Sequence, residues 1–316
     1  MIDSLGRNIT YLRLSVTELC NLRCRYCMPE EGVCKLAHSQ LLTEEEMVRA
    51  VRAASRLGIT KVRITGGEPL VKPNILSICR NVANVPGISE TSVTTNAILL
   101  PDMAAPLREA GVQRVNISLD TLNPEKYRKI TRRGELSDAL KGLSAALDAG
   151  FEKVKINAVL IGGFNDDEIP ALAALTQKWL VDMRFIELMP MAGNTDFGSE
   201  CYIPVTRVLD ALPQALPEQE EGVARLFRLP GALGRVGLIS PLSQHFCAAC
   251  NRIRLTADGK IKPCLHSAEE ISIKGLSEQD MMEQMRRAIL SKPACHAELN
   301  VISRSPSGRS MNQIGG

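Results

Sequence analysis

The sequence predicts an α/β fold, a partial (β/α)6 barrel followed by a smaller C-terminal region, and three observations carry that expectation. From residue 10 to about 190, short β-type runs alternate with longer helical patterns, the pattern of parallel βα units. Six strand candidates can be placed without a GxGxxG nucleotide fingerprint, which favours a partial barrel over an open doubly wound sheet. After about residue 200 the rhythm breaks at Pro204, Pro213, Pro217, Pro230 and Pro241. The expected organisation is a barrel over residues 1–212, a C-terminal region over 213–302 and an extended tail over 303–316.

The strand candidates are Tyr11 to Val16, Val62 to Thr65, Thr91 to Thr95, Arg114 to Leu119, Val154 to Leu160 and Met183 to Leu188. Between them, Thr43 to Leu57 reads as a helix opened by a Thr43/Glu46 capping box and closed by Gly58. Further helices are expected over Pro73 to Asn84, Pro101 to Ala110, Leu136 to Ala149 and Glu168 to Leu180. The C-terminal region carries strand candidates at Val223 to Leu229, Arg235 to Ser240 and Arg252 to Thr256, then a helix from about Ser277 to Leu290. In a barrel the chemistry collects at the C-terminal ends of the strands, where most of the unusual polar motifs here fall.

Composition narrows the function class. Of 316 residues, 45% are hydrophobic and 23% charged, ordinary for a globular protein, while aromatics at 3% are too few for a base-stacking nucleic-acid surface. A net charge of +3 announces neither nucleic acid nor a membrane surface, although a local basic cluster can still hold a small polyanion. No apolar run approaches the ~20 residues of a membrane span, and Met1 to Thr10 lacks a secretory pattern, so a cytoplasmic location is the expectation. In that reducing compartment ten cysteines point to metal ligands or free thiols rather than disulfides. Six of them form two ordered triplets; Cys34, Cys79, Cys201 and Cys295 are read as mostly buried or incidental.

The first triplet, Cys20, Cys24 and Cys27, follows the first strand. Three thiolates can wrap a cubane iron–sulfur cluster while leaving one of four irons open to an outside molecule; a zinc knuckle or scattered core thiols is the plainer alternative. Gly66-Gly67-Glu68-Pro69 is either a tight turn or a place where a ligand approaches backbone that carries no Cβ. The second triplet, Cys247, Cys250 and Cys264, fits either a second open cluster or a zinc site completed by His245 or His266. Arg252 and Arg254 stand two apart on a strand and so share a face, suited to an anionic or hydrogen-bond-accepting ligand unless they are merely solvated. Arg13, Arg63 and Lys155 alternate into apolar strands, where each needs a barrel carboxylate or a ligand; together they could clamp a triphosphate.

Cys20 to Cys27 with Gly66 to Pro69 resembles the radical S-adenosylmethionine superfamily. Leu12-Arg13-Leu14-Ser15-Val16-Thr17, Lys61-Val62-Arg63-Ile64-Thr65, Val93-Thr94-Thr95-Asn96, Asn116-Ile117-Ser118-Leu119-Asp120, Lys153 to Asn157 and Arg184 to Met189 narrow the likeness. With Phe246 to Arg254 and the terminal Ile314-Gly315-Gly316, the whole chain resembles the GTP 3′,8-cyclase family of molybdenum cofactor biosynthesis. The resemblance implies two [4Fe–4S] clusters on the two triplets. It also implies that S-adenosylmethionine sits on the first and is cleaved on reduction to a radical that takes hydrogen from C3′ of GTP, after which C3′ joins C8. The product would be (8S)-3′,8-cyclo-7,8-dihydroguanosine 5′-triphosphate. By the same resemblance Tyr26, Gly67, Ser118 and Met189 contact S-adenosylmethionine, and Arg13, Arg63, Thr94, Lys155, Arg252 and Arg254 serve GTP. No side chain acts as the catalyst itself. An electron donor and the next enzyme of the pathway are the implied partners, and a homodimer is the expected assembly from its frequency.

One departure stands out: Ala97 occupies a position where the family usually has glycine, whose freedom of backbone angle alanine lacks. No role is assigned to Arg304 or Arg309, and the terminal glycines are expected to reach toward the site. Two rival readings remain at this level: a peptide-modifying radical enzyme with an auxiliary cluster, and a non-catalytic iron–sulfur or zinc protein.

Overall fold

The computed structural model describes residues 1–192, 194, 196–296, 299 and 304–315. Six βα units come first. Their strands are β1 (Tyr11–Ser15), β2 (Lys61–Thr65), β3 (Glu90–Thr95), β4 (Arg114–Ser118), β5 (Lys153–Leu160) and β6 (Val181–Glu187). The helices are α1 (Glu44–Arg56), α2 (Ile75–Ala83), α3 (Leu100–Glu109), α4 (Pro124–Thr131), α5 (Leu136–Asp148) and α6 (Ile169–Lys178). Short α7 (Arg207–Ala211) leads to β7 (Leu216–Glu221), β8 (Ala224–Arg228), β9 (Val236–Ile239), β10 (Arg252–Leu255), β11 (Lys260–Lys262) and β12 (Ile271–Ser272). Then come α8 (Glu278–Leu290) and α9 (Met311–Ile314).

The expected capping box opens α1, with Thr43 Oγ1 accepting from Glu46 N and Glu46 Oε2 accepting from Thr43 N. Sequence reading passed over α4, although Asn123 caps it through Glu125 N and Lys126 N and Pro124 holds its first turn, an Asn-Pro start signal. Of the four cysteines outside the triplets only Cys79 is buried, and Cys34 and Cys295 are exposed.

The C-terminal region does not build a separate sheet. One continuous sheet runs β12-β11-β10-β1-β2-β3-β4-β5-β6-β9-β8-β7, with β10 parallel to β1 and β9 parallel to β6. The expected six parallel strands are thus eight, and antiparallel hairpins finish both edges. Arg13, Arg63, Thr94, Ser118, Lys155, Arg184, Ile239 and Arg252, one from each parallel strand, line a single cavity, so the sheet curls into a trough around it.

Period-two alternation decides what each face carries. Leu12, Leu14, Val62 and Ile64 are fully buried on the outer face, in one core with Met47, Val51 and Ala54 of α1. The inner positions of the same strands are Tyr11, Arg13, Lys61, Arg63 and Thr65, which line the cavity. Barrels of this type usually fill their interior with branched apolar side chains; here polar groups keep it open.

Ala97 adopts φ +70°, the left-handed angle that glycine takes more easily than alanine. That geometry costs an alanine about 1–2 kcal/mol relative to glycine. Its methyl is fully buried, however, contributing about 0.8 kcal/mol, and glycine would add unfolded-state entropy, so the two nearly balance. The tighter constraint is its neighbour in α5. A Cβ built on Gly142 would fall 1.9 Å from the Ala97 carbonyl oxygen, which is backbone and cannot step aside. Gly142→Ala is expected to destabilise the fold by about 1–3 kcal/mol, read as a lower denaturation midpoint; an unchanged midpoint would mean that α5 does not pack on this turn.

Candidate active site

The cavity is about 430 Å³, and all sixteen site residues named from the sequence line it. Tight backbone contacts seat the first triplet. Gly67 N donates to Thr17 O and Glu68 N to Leu19 O, both at 2.8 Å, so the Gly-Gly-Glu-Pro turn grips the segment entering the cysteine loop. A Cβ on Gly66 would lie 2.2 Å from Thr17 O and one on Gly67 2.3 Å from Leu19 O; here the glycines serve backbone approach directly. On the other side Arg23 N and Arg25 N donate to Thr131 O and Ile130 O at the end of α4, and Arg132 Nη1 bonds Arg23 O and Met28 O.

Glu68 is buried and pins its own turn to the end of β3, accepting from Leu70 N, Thr95 Oγ1 and Asn96 N. Burial pushes its carboxyl up to about 7. Leu22 N donates to Cys20 Sγ at 3.3 Å. Burial also pushes the thiols of Cys20 and Cys27 up, to about 11 and about 12, so without a metal they are neutral and not poised as nucleophiles. Tyr26 Oη donates to Asp120 Oδ2 at 2.8 Å, and burial raises the Asp120 carboxyl to about 6.

The second triplet lies on and at the end of a short turn, Cys247–Ala249, just before β10, and just after β11. Burial opposes ionisation of Cys250, but Arg252 and Lys292 prevail and bring it down to about 6, a thiolate suited to metal. Of the histidines in the zinc reading, His245 Nδ1 meets Pro241 O and His266 Nδ1 meets Ser305 Oγ, each at 3.0 Å, contacts that occupy one ring nitrogen of each. Among the described residues no three His, Cys, Asp or Glu side chains converge on one ion, as a zinc site requires. Cluster thiolates bind different irons and need no such convergence.

Register explains the basic wall between the triplets. Arg13 is paired with Arg63 on one side and Arg254 on the other, so three arginines form a row across β10, β1 and β2. Arg252 sits beside Tyr11 two pairs away, on the same face. Arg63 donates to Tyr11 Oη at 2.7 Å, and Arg252 stacks over Phe246. Among the described residues none of the four pairs with a carboxylate. Burial, then Arg254, Arg63 and Arg252, holds Arg13 well below the usual arginine range, and burial with Arg252 brings Arg254 down to about 9. Arg13 Nε and Thr94 Oγ1 are buried without partners. Orphaned donors beside crowded cations fit an anionic, oxygen-rich ligand.

Lys155 differs, because here the salt-bridge alternative holds: its Nζ lies 3.0 Å from Glu221 Oε1. Burial and Arg184 bring its ammonium down to about 7. Arg184, Asp120, Glu221 and Lys292 also line the cavity but carried no role in the sequence reading. Arg184 was findable by the rule that selected Arg13, a charge alternating into an apolar strand. Glu221, on a hairpin, and Lys292, after a helix, bear no local signal.

The tail enters the same cavity. Arg309 pairs with Asp258 at 2.8 Å and Glu270 at 2.6 Å, and Asn312 Nδ2 donates to Glu18 O. Gly315, at φ +79°, then presents its carbonyl to Arg254, with Thr65 so near that a Cβ would fall 2.4 Å from its methyl. The expected reach of the terminal glycines toward the site is thus met at Gly315; Gly316 lies outside the described residues.

The family model for the radical SAM superfamily matches residues 14–176, and that for Molybdenum Cofactor Synthesis C matches 181–298. The chain is 49% identical over 321 residues to the GTP 3′,8-cyclase of Alkaliphilus oremlandii and 45% identical over 328 residues to that of Pelotomaculum thermopropionicum, with 100% of both chains covered in each case. Among solved structures, Streptococcus suis SuiB bound to S-adenosylmethionine is similar at TM-score 0.62 and 16% identity, over 91% of this chain and 65% of that one. SuiB bound to the precursor peptide SuiA gives 0.65 and 17%, over 92% and 66%. Likeness at that identity speaks for the fold. No described helix is long and apolar enough to cross a membrane. Similar from end to end to curated relatives, with both family models in sequence along it, the chain belongs to the GTP 3′,8-cyclase family of radical SAM enzymes.

Proposed function

We infer that this chain converts GTP to (8S)-3′,8-cyclo-7,8-dihydroguanosine 5′-triphosphate, the opening step of molybdenum cofactor biosynthesis, with clusters on both triplets. The observation that carries the reading is the row Arg254–Arg13–Arg63, unpaired with any described carboxylate and set in one cavity between the triplets. Cys20, Cys24 and Cys27 would hold a [4Fe–4S] cluster that, with S-adenosylmethionine, would supply on reduction a radical able to take the C3′ hydrogen. Tyr26, Gly67, Ser118 and Met189 orient that cofactor, with Tyr26 itself fixed by Asp120. Arg13, Arg63, Thr94 and Lys155 take the substrate's anionic oxygens. Arg252 and Arg254, beside Cys247, Cys250 and Cys264, position the base at the second cluster. Sheet and tail close around the cavity and keep water from the reacting carbons. In this division residues 1–212 carry the radical chemistry, 213–302 the second cluster and 303–316 the closing strap; an electron donor and the enzyme that accepts the product complete the system in the cytoplasm.

Anaerobic reconstitution tests this. About eight irons per chain and GTP-dependent formation of 5′-deoxyadenosine are expected; four irons, or cofactor cleavage indifferent to GTP, would sink the reading.

A further inference from the structure

Glu221 ends β7 at the turn where Gly222, at φ +69°, reverses the chain into β8, and Glu221, Gly222 and Val223 all line the cavity. Its carboxylate meets Lys155 Nζ at 3.0 Å, Lys153 Nζ at 2.9 Å and Arg235 Nη2 at 2.6 Å, with Arg184 Nη2 farther off at 3.9 Å. These partners are not equivalent. Lys153 and Arg235 each have a second carboxylate in Asp182, at 3.1 and 2.9 Å. Lys155 has Glu221 alone among the described residues. If Glu221 moves away, Lys153 and Arg235 keep a partner, while Lys155 and Arg184 are left at the cavity wall without a described carboxylate partner.

We propose that Glu221 is a built-in competitor for the polyanionic end of the substrate, holding in the free enzyme the anion position that Lys155 offers to a phosphate group. The inference rests on the nucleotide reading above and deepens it. A carboxylate and a phosphate drawn to one ammonium repel each other, and that repulsion is strong where water is scarce. A triphosphate must therefore displace Glu221 or share Lys155 at reduced affinity, while a ligand without phosphate meets no such opposition. Glu221 thereby sets how much negative charge a ligand needs to occupy this end of the cavity. The hairpin that carries it lies at the sheet edge, and its register slips between Glu218 and Glu221, so its tip can shift without breaking a central strand pair.

The test is calorimetric titration of the reconstituted full chain with inorganic tripolyphosphate, GTP and guanosine. Glu221→Gln is expected to bind tripolyphosphate and GTP roughly five- to tenfold more tightly, with guanosine unchanged. Glu221→Asp, which keeps the charge but loses reach, should move the same way by less and serves if the first variant does not fold. Glu220→Gln, the same charge change on an exposed neighbour, should leave all three ligands unaffected. Unchanged or weaker tripolyphosphate binding in Glu221→Gln, or equal tightening in Glu220→Gln, overturns the proposal. Wild-type GTP binding with no gain in Glu221→Gln keeps the nucleotide reading and removes this one; a tripolyphosphate gain with no GTP binding does the reverse.

Discussion

Cys24→Ala is expected to reduce reductive cleavage of S-adenosylmethionine to background and to lower reconstituted iron from about eight to about four per chain. The loss is complete because two thiolates do not hold a cubane that three ligate, and the open iron disappears with the cluster. The fold should survive. Burial, then Cys27 and Asp120, pushes the Cys24 thiol well up, so alanine removes a neutral group and breaks no ion pair. GTP binding should survive too, since the arginine row and the second triplet are untouched. Iron analysis, the spectrum after reduction and 5′-deoxyadenosine yield read the result together. Cys79→Ala is the contrast: that thiol is on the buried face of α2, so its loss should lower stability while iron and turnover stay unchanged. Turnover by Cys24→Ala would overturn the assignment of the first triplet.

Arg13→Met should weaken GTP binding on the order of a hundredfold or more while leaving the ligand-free chain as stable as before, or more so. The two effects have opposite signs for one reason. In the free chain Arg13 is a desolvated cation between two others, so an apolar residue of similar length removes repulsion and an orphaned Nε. Once a triphosphate arrives, the same guanidinium becomes a charge-assisted partner whose loss costs about 2–5 kcal/mol. Thermal unfolding without ligand and titration with GTP separate the effects. Lower stability with unaltered affinity would make Arg13 a structural residue and undo the anion-site reading. Glu221→Gln moves affinity the other way, so the pair brackets the cavity's charge balance.

Much of this is legible in the sequence alone, and the reason is locality. Alternation puts Arg13, Arg63 and Lys155 on the face opposite Leu12, Leu14, Val62 and Ile64 because a strand's side-chain period is two. Three-residue and two-residue gaps bring Cys20, Cys24 and Cys27 into one loop, and Thr43 with Glu46 starts a helix by bonds that span three residues. Ala97 could be flagged because its left-handed angle is a demand on one residue. Motif order along the chain carried the family.

What needed the folded molecule involves partners far apart in sequence. Residues after 200 join both edges of the barrel sheet rather than forming a sheet of their own, because β9 finds β6 and β10 finds β1; strand pairing depends on exposed edges, which no local pattern records. The same pairing places Arg254 beside Arg13, turning two separate basic motifs into one row. Lys155 proved to be neutralised while the arginines are not, since its counter-charge comes from residue 221 on a distant hairpin. Arg309, to which no role had been given, anchors the tail through Asp258 and Glu270. The cysteines, the arginines and their facing could be read from short-range periodicity; which charges stay unpaired, and so where an anion is needed, was decided by tertiary contacts alone.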